Sequence, residues 1–111
     1  MYSLEYLIEK YEQALLDLAA GEGDARSRLT EAYRRFWTIP LTDYPEQLRK
    51  ERQEIDRLLT SLPARPGYVI HDNLRKMKNK TAAQICAHIW SICFMLIELK
   101  QKRSQGKPRQ D

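Results

Sequence analysis

Hydrophobic positions recur at helical spacing along most of this chain. Leu4, Leu7, Ile8, Tyr11, Leu15 and Leu18 fall on one face of a helix. Ser3 is placed to cap it, and Glu5, Glu9 and Glu12 sit early, where the helix dipole favours acids. Gly21 and Gly23 are expected to end it through the left-handed conformation that glycine adopts at low cost. Asp24 then caps a second helix with Leu29, Ala32, Tyr33, Phe36 and Trp37 on its apolar face. That helix should stop near Thr38, because Pro40 disfavours helix at Ile39.

The run from Thr38 to Pro45 reads as a tight connection, with Asp43 and Glu46 resembling a capping box. A third helix follows, from about Tyr44 to Ser61. Leu48, Ile55, Leu58, Leu59 and Leu62 are assigned to its inner side, and Arg49, Lys50, Glu51, Arg52, Glu54, Asp56 and Arg57 to a solvated outer side. The sequence Pro63-Ala64-Arg65-Pro66-Gly67 is the strongest break in the chain. Tyr68, Val69 and Ile70 look extended, and Asp72 or Asn73 is expected to start the last helix.

The stretch from Thr81 to Leu99 carries no charged residue before Glu98. Gln84, His88, Ser91, Met95 and Glu98 form one narrow stripe, and apolar side chains cover the rest. A surface helix ordinarily shows an apolar stripe only a little over about 100° wide. The wider arc here predicts a helix enclosed by several neighbours. Thr81 and Gln84 suggest a capping box at its start, and Lys100, Lys102 and Arg103 suit its C-terminal end. A single long helix with a weak point near Asn79 is expected.

The predicted fold is therefore all-α: a compact bundle of four helices, at about 3–20, 24–38, 44–61 and 73–103, with the last one central. Residues 1–104 form a single domain in this reading, and 105–111 a disordered basic tail. The segment between Lys80 and Glu98 is 17 residues long, the low edge of the roughly 17–25 needed to span a bilayer. Gln84, His88 and Ser91 interrupt it, so a core helix is preferred and no membrane association is expected.

Charge refines this picture. The formal net charge is +4, but residues 1–70 carry −2 and residues 71–111 carry +6. Such asymmetry hints at an anionic partner toward the C-terminal end, although a basic tail on a near-neutral bundle explains it more simply. Cys86 and Cys93 would lie about 10 Å apart along one helix, beyond disulfide reach. They read as small buried hydrophobes. Glu5, Glu9 and Glu12 stand where a secretion signal would be apolar, so an intracellular, cytoplasmic setting is expected.

Candidate chemistry is sparse. No serine elbow, phosphate-cradling glycine loop, HExxH or CxxC pattern occurs. His88 has no second ligand at zinc spacing and reads as a histidine satisfied by its neighbours. The expectation is a non-catalytic protein without metal or cofactor. It would act by association, as a homodimer or with another helical protein, through Ile85, Ile89, Trp90, Cys93, Phe94 and Ile97. The alternative is a nucleic-acid-binding accessory protein using Arg75, Lys76, Lys78, Lys80, Arg34 and Arg35, with the Tyr33-Arg34-Arg35-Phe36-Trp37 run as a stacking platform.

Overall fold

The computed structural model describes residues 1–105, and all regular structure among them is helical. The all-α expectation holds, with five helices in place of four. These are α1 (Leu4–Ala20), α2 (Ala25–Phe36), α3 (Glu46–Leu59), α4 (Val69–Lys76) and α5 (Asn79–Gln105), with a 3-10 turn at Leu41–Asp43. Gln105, assigned to the disordered tail, is instead the last residue of α5, and residues 106–111 of that tail lie outside the described residues.

Two of the anticipated caps form. The Ser3 hydroxyl accepts from the Tyr6 N–H at 3.1 Å, and Asp24 accepts from the Ser27 N–H at 2.9 Å. The third does not. Asp43 instead accepts from the N–H of Tyr2 at 2.8 Å, and α3 opens after Pro45 with no side-chain cap. Nor does Thr81 cap α5, which begins two residues earlier, at Asn79. Gly21 is extended rather than left-handed; its role is space, since a Cβ there would lie 2.4 Å from the Asp17 carbonyl oxygen. Gly23 is the residue of this turn with a positive φ, 87°.

The expected long last helix is broken. Met77 turns extended and is buried, while its N–H still donates to the Asn73 carbonyl and closes α4. Planting that apolar side chain in the core redirects the chain, and Asn79 starts a new helix. Of Tyr68-Val69-Ile70, read as extended, Val69 and Ile70 open α4 and Tyr68 immediately precedes it. Asp72 and Asn73, read as helix starters, lie in the middle of α4 and are fully buried. Their work is to hold the Pro-rich loop. Asn73 accepts from the Leu62 N–H at 2.8 Å and donates to the Leu62 carbonyl at 3.2 Å. Asp72 accepts from the Arg65 backbone N–H and forms a two-point pair with its guanidinium. These bonds hold an exposed loop against the buried middle of α4.

α5 is central, as predicted. It packs against α1, α2 and α3, while α4 closes against α2 and α3. Ala82, Ile85, Ile89, Ile92, Cys93 and Leu96 are its buried residues. At 27 residues it spans about 40 Å. By length and composition it is the one described helix long and apolar enough to cross a membrane. Core residues also come from the connection after α2, where Ile39 and Tyr44 are buried.

α3 requires the main correction to the inner and outer assignments. Arg52, placed outside by its charge, is only 5% exposed. It continues the inward row of Leu48, Ile55 and Leu59 at helical spacing. Its Nε donates to the Tyr44 hydroxyl at 3.2 Å, and Nη1 to Asp56 at 2.7 Å. The guanidinium lies over the Phe36 ring at 5.2 Å. Tyr44 and Tyr11 share a hydrogen bond at 2.6 Å. Burial works against the Arg52 charge; the Tyr44 and Tyr11 oxygens and the Asp56 carboxylate outweigh it and leave the group firmly charged. This polar knot ties α1, α3 and the connection after α2 together inside an otherwise apolar core. Leu62, expected inside, is partly exposed.

Candidate functional site

Helical geometry divides α5 between core and solvent. Positions 82, 85, 89, 92, 93 and 96 face inward. The opposite face carries Ala83, Ala87, Trp90 and Phe94, all exposed, with Ile97 half-buried at its edge. Trp90 is 57% exposed and Phe94 52%. Four residues apart, they stack with centroids 5.3 Å apart and planes inclined by 8°.

Of the six residues assigned to an interface, Ile85, Ile89 and Cys93 are consumed by the chain's own core. The reason is packing. Three helices cover that side of α5, so no second molecule is needed there. Trp90, Phe94 and Ile97 remain on or beside the outer face. Both cysteines are free thiols. Burial pushes the Cys86 thiol up; it does the same for Cys93, aided by the nearby Glu12 carboxylate of α1. Both shifts favour the protonated thiol at neutral pH.

The flanks of the apolar face are polar. On the α3 side, His88 Nδ1 meets Glu51 Oε1 at 2.7 Å, both groups partly exposed. His88 thus has a partner, on another helix and not among its own helical neighbours. On the α1 side, Glu5, Glu9 and Glu12 are exposed. Lys80 lies at one end of α5, and Lys100, Lys102 and Arg103 at the other, all exposed. The result is an apolar strip with acids beside it and cations at its ends.

The six residues assigned to anion or nucleic-acid contact are not brought onto one surface. Arg35 makes a two-point bond to Asp17 of α1, at 2.8 and 3.1 Å. Arg34 pairs with Glu31 at 3.1 Å. Lys76, Lys78 and Lys80 are exposed around the α4–α5 break. Arg34 and Arg75 both line a cleft between α2 and α4. Within the Tyr33–Trp37 run, Phe36 is buried, Tyr33 half-buried and Trp37 exposed. Two of its three aromatics therefore serve the core, and Trp37 leaves the face assigned to it.

No group of three or more potential metal ligands gathers among the described residues. Comparison of the chain with protein-family models, with curated proteins and with solved structures finds no match.

Proposed function

We propose that this is a non-catalytic association protein and that its contact surface is the outer face of α5, which pairs with the same face of a second copy. The observation that carries the reading is the stacked Trp90–Phe94 pair, exposed on the helix that also forms the core. Contiguous apolar exposure rimmed by polar groups is characteristic of protein contact sites. Aromatic residues dominate the energetics of such sites.

Charge favours a second copy as the occupant. Helices that pack by interlocking their ridges commonly cross at about 50°. Lys80 lies ten residues before Trp90, about 15 Å along the axis. At that crossing angle the Lys80 end is carried sideways by about 11 Å, roughly one interhelix spacing. The basic ends of one α5 then lie over the helices that flank α5 in the other copy. Those flanks hold Glu5, Glu9 and Glu12 on α1 and Glu51 on α3. A membrane span would instead have to strip α1, α2 and α3 from the buried side of the helix.

Sedimentation equilibrium tests the proposal. The wild-type chain is expected to be dimeric at micromolar concentration, and Phe94→Glu to be monomeric with unchanged helix content. A wild-type monomer throughout that range, or a Phe94→Glu dimer, overturns it.

A further inference from the structure

The cleft between α2 and α4 lies apart from the α5 face and does not depend on the association reading. It is an open cleft of about 750 Å³, within the roughly 300–1,000 Å³ typical of small-molecule sites. Its walls divide by chemistry. Leu74 is buried, and Tyr33 and Ile70 are half-buried, as are Thr30 and Arg26. Trp37, 57% exposed, offers an indole that the core does not use. Arg26, Arg34 and Arg75 supply three guanidiniums, against Asp24 as the lining carboxylate.

These arginines differ in commitment. Arg26 reaches across the cleft and donates to the Arg75 carbonyl at 3.1 Å, tying the start of α2 to the end of α4. Its head is thereby fixed, with Asp24 at a looser 3.7 Å. Arg34 shares its charge with Glu31. Arg75 has no carboxylate within 4.0 Å among the described residues. An anchored arginine beside an uncompensated one is suited to a phosphate or carboxylate, which a guanidinium binds at two points. An open indole next to Arg34 is suited to a planar ring.

We infer that this cleft binds a small aromatic anion, with its ring against Trp37 and its charged group held by Arg75 and Arg26. A polynucleotide fits less well. On the α2 side Arg35 is turned to Asp17 and ends any cation track, which continues only past Arg75 through Lys76, Lys78 and Lys80.

Isothermal titration calorimetry on the full chain tests this with adenosine 5′-monophosphate as the probe. Saturable one-to-one binding is expected. Adenosine, lacking the anion, and inorganic phosphate, lacking the ring, should each bind at least about tenfold more weakly. Arg75→Ala and Trp37→Leu change exposed side chains, so circular dichroism should confirm intact folding. Each should weaken the monophosphate by about tenfold or more. No binding of the probe at millimolar concentration overturns the inference, as does an unaffected Arg75→Ala. Phosphate binding as tightly as the monophosphate removes the role of the ring. An oligonucleotide bound about a hundredfold more tightly than the monomer, with a steep salt dependence, marks a nucleic-acid groove and likewise overturns it.

Discussion

Ile89 and Trp90 are neighbours in sequence and opposites in the structure, so truncating each to alanine gives a sharp contrast. Ile89 is fully buried between α5 and the helices that cover it. Removing its side chain loses both transfer free energy and packing, about 2–5 kcal/mol. Trp90 is the larger residue, yet more than half of it is already in water. Its stack with Phe94 is solvated, so the intrinsic cost of Trp90→Ala should stay below about 1 kcal/mol. In a domain of this size each kcal/mol moves the melting temperature by roughly 4–8 °C. Ile89→Ala should therefore melt at least about 8 °C lower than wild type in dilute solution, and Trp90→Ala less than about 4–8 °C lower.

Urea titration followed by circular dichroism avoids the changed fluorescence of the tryptophan variant. A shifted midpoint with an unchanged slope is expected for Ile89→Ala. Protein concentration supplies a second axis. A dimer stabilises its folded subunits by mass action, so the deficit of Trp90→Ala should widen as concentration rises, while that of Ile89→Ala in the core persists at every concentration. Equal losses in dilute solution, or a larger loss for Trp90→Ala, would refute the assignment of the two faces.

Other consequences concern buried polar groups. Hydrogen bonds from the Arg65 side chain, then from its backbone N–H, hold the Asp72 carboxyl well below the usual carboxylate range. A depressed folded-state pKa gives stability that is present above the unfolded value of about 3.9 and fades as pH falls toward the folded one. Asp72→Asn should thus be less stable than wild type at pH 7, and the gap should shrink on acidification, as read by urea midpoints. Burial, then Tyr44, raises the Tyr11 hydroxyl well above its ordinary value; burial also raises Tyr44. Their contribution is complete below about pH 10 and is lost as pH rises through the folded values. Absorbance titration should show Tyr11 and Tyr44 ionising late, together with unfolding. Arg52→Ala should cost about 1–3 kcal/mol in urea melts, because Tyr44 loses a donor and the stem packing is lost. Arg52→Met, which keeps the stem, should recover part of that loss.

The sequence was most readable where spacing and chemistry agree. Leu4, Leu7, Ile8 and Tyr11 mark α1, and Ser3 and Asp24 cap as their type and position suggest. The central place of α5 follows from its broad apolar arc. Reading failed where charge or polarity opposed position. Arg52 stands on the inward row of α3, and its spacing from Leu48, Ile55 and Leu59 was a usable signal that its charge concealed. Asp72 and Asn73 have side chains that commonly start helices; their partners, Leu62 and Arg65, lie in a loop that only the folded chain brings to them. The Glu51–His88 contact joins residues 37 apart in sequence, beyond any local pattern. For α5, the composition implied enclosure nearly all round, but three neighbouring helices cover one side and leave Trp90 and Phe94 outside. An apolar arc records what a helix can bury, and the number of helices available decides how much of it is covered.

The central claim is that α5 turns one face to its own core and gives the other to a second copy. Spin labels attached at Ala87, through an Ala87→Cys substitution, measure this directly by double electron–electron resonance. Two α5 helices crossing face to face, with axes about 8–10 Å apart, should give one narrow distribution at short distance, and Phe94→Glu should abolish it. A distribution that is absent at micromolar concentration, or long and unaffected by Phe94→Glu, would contradict the claim.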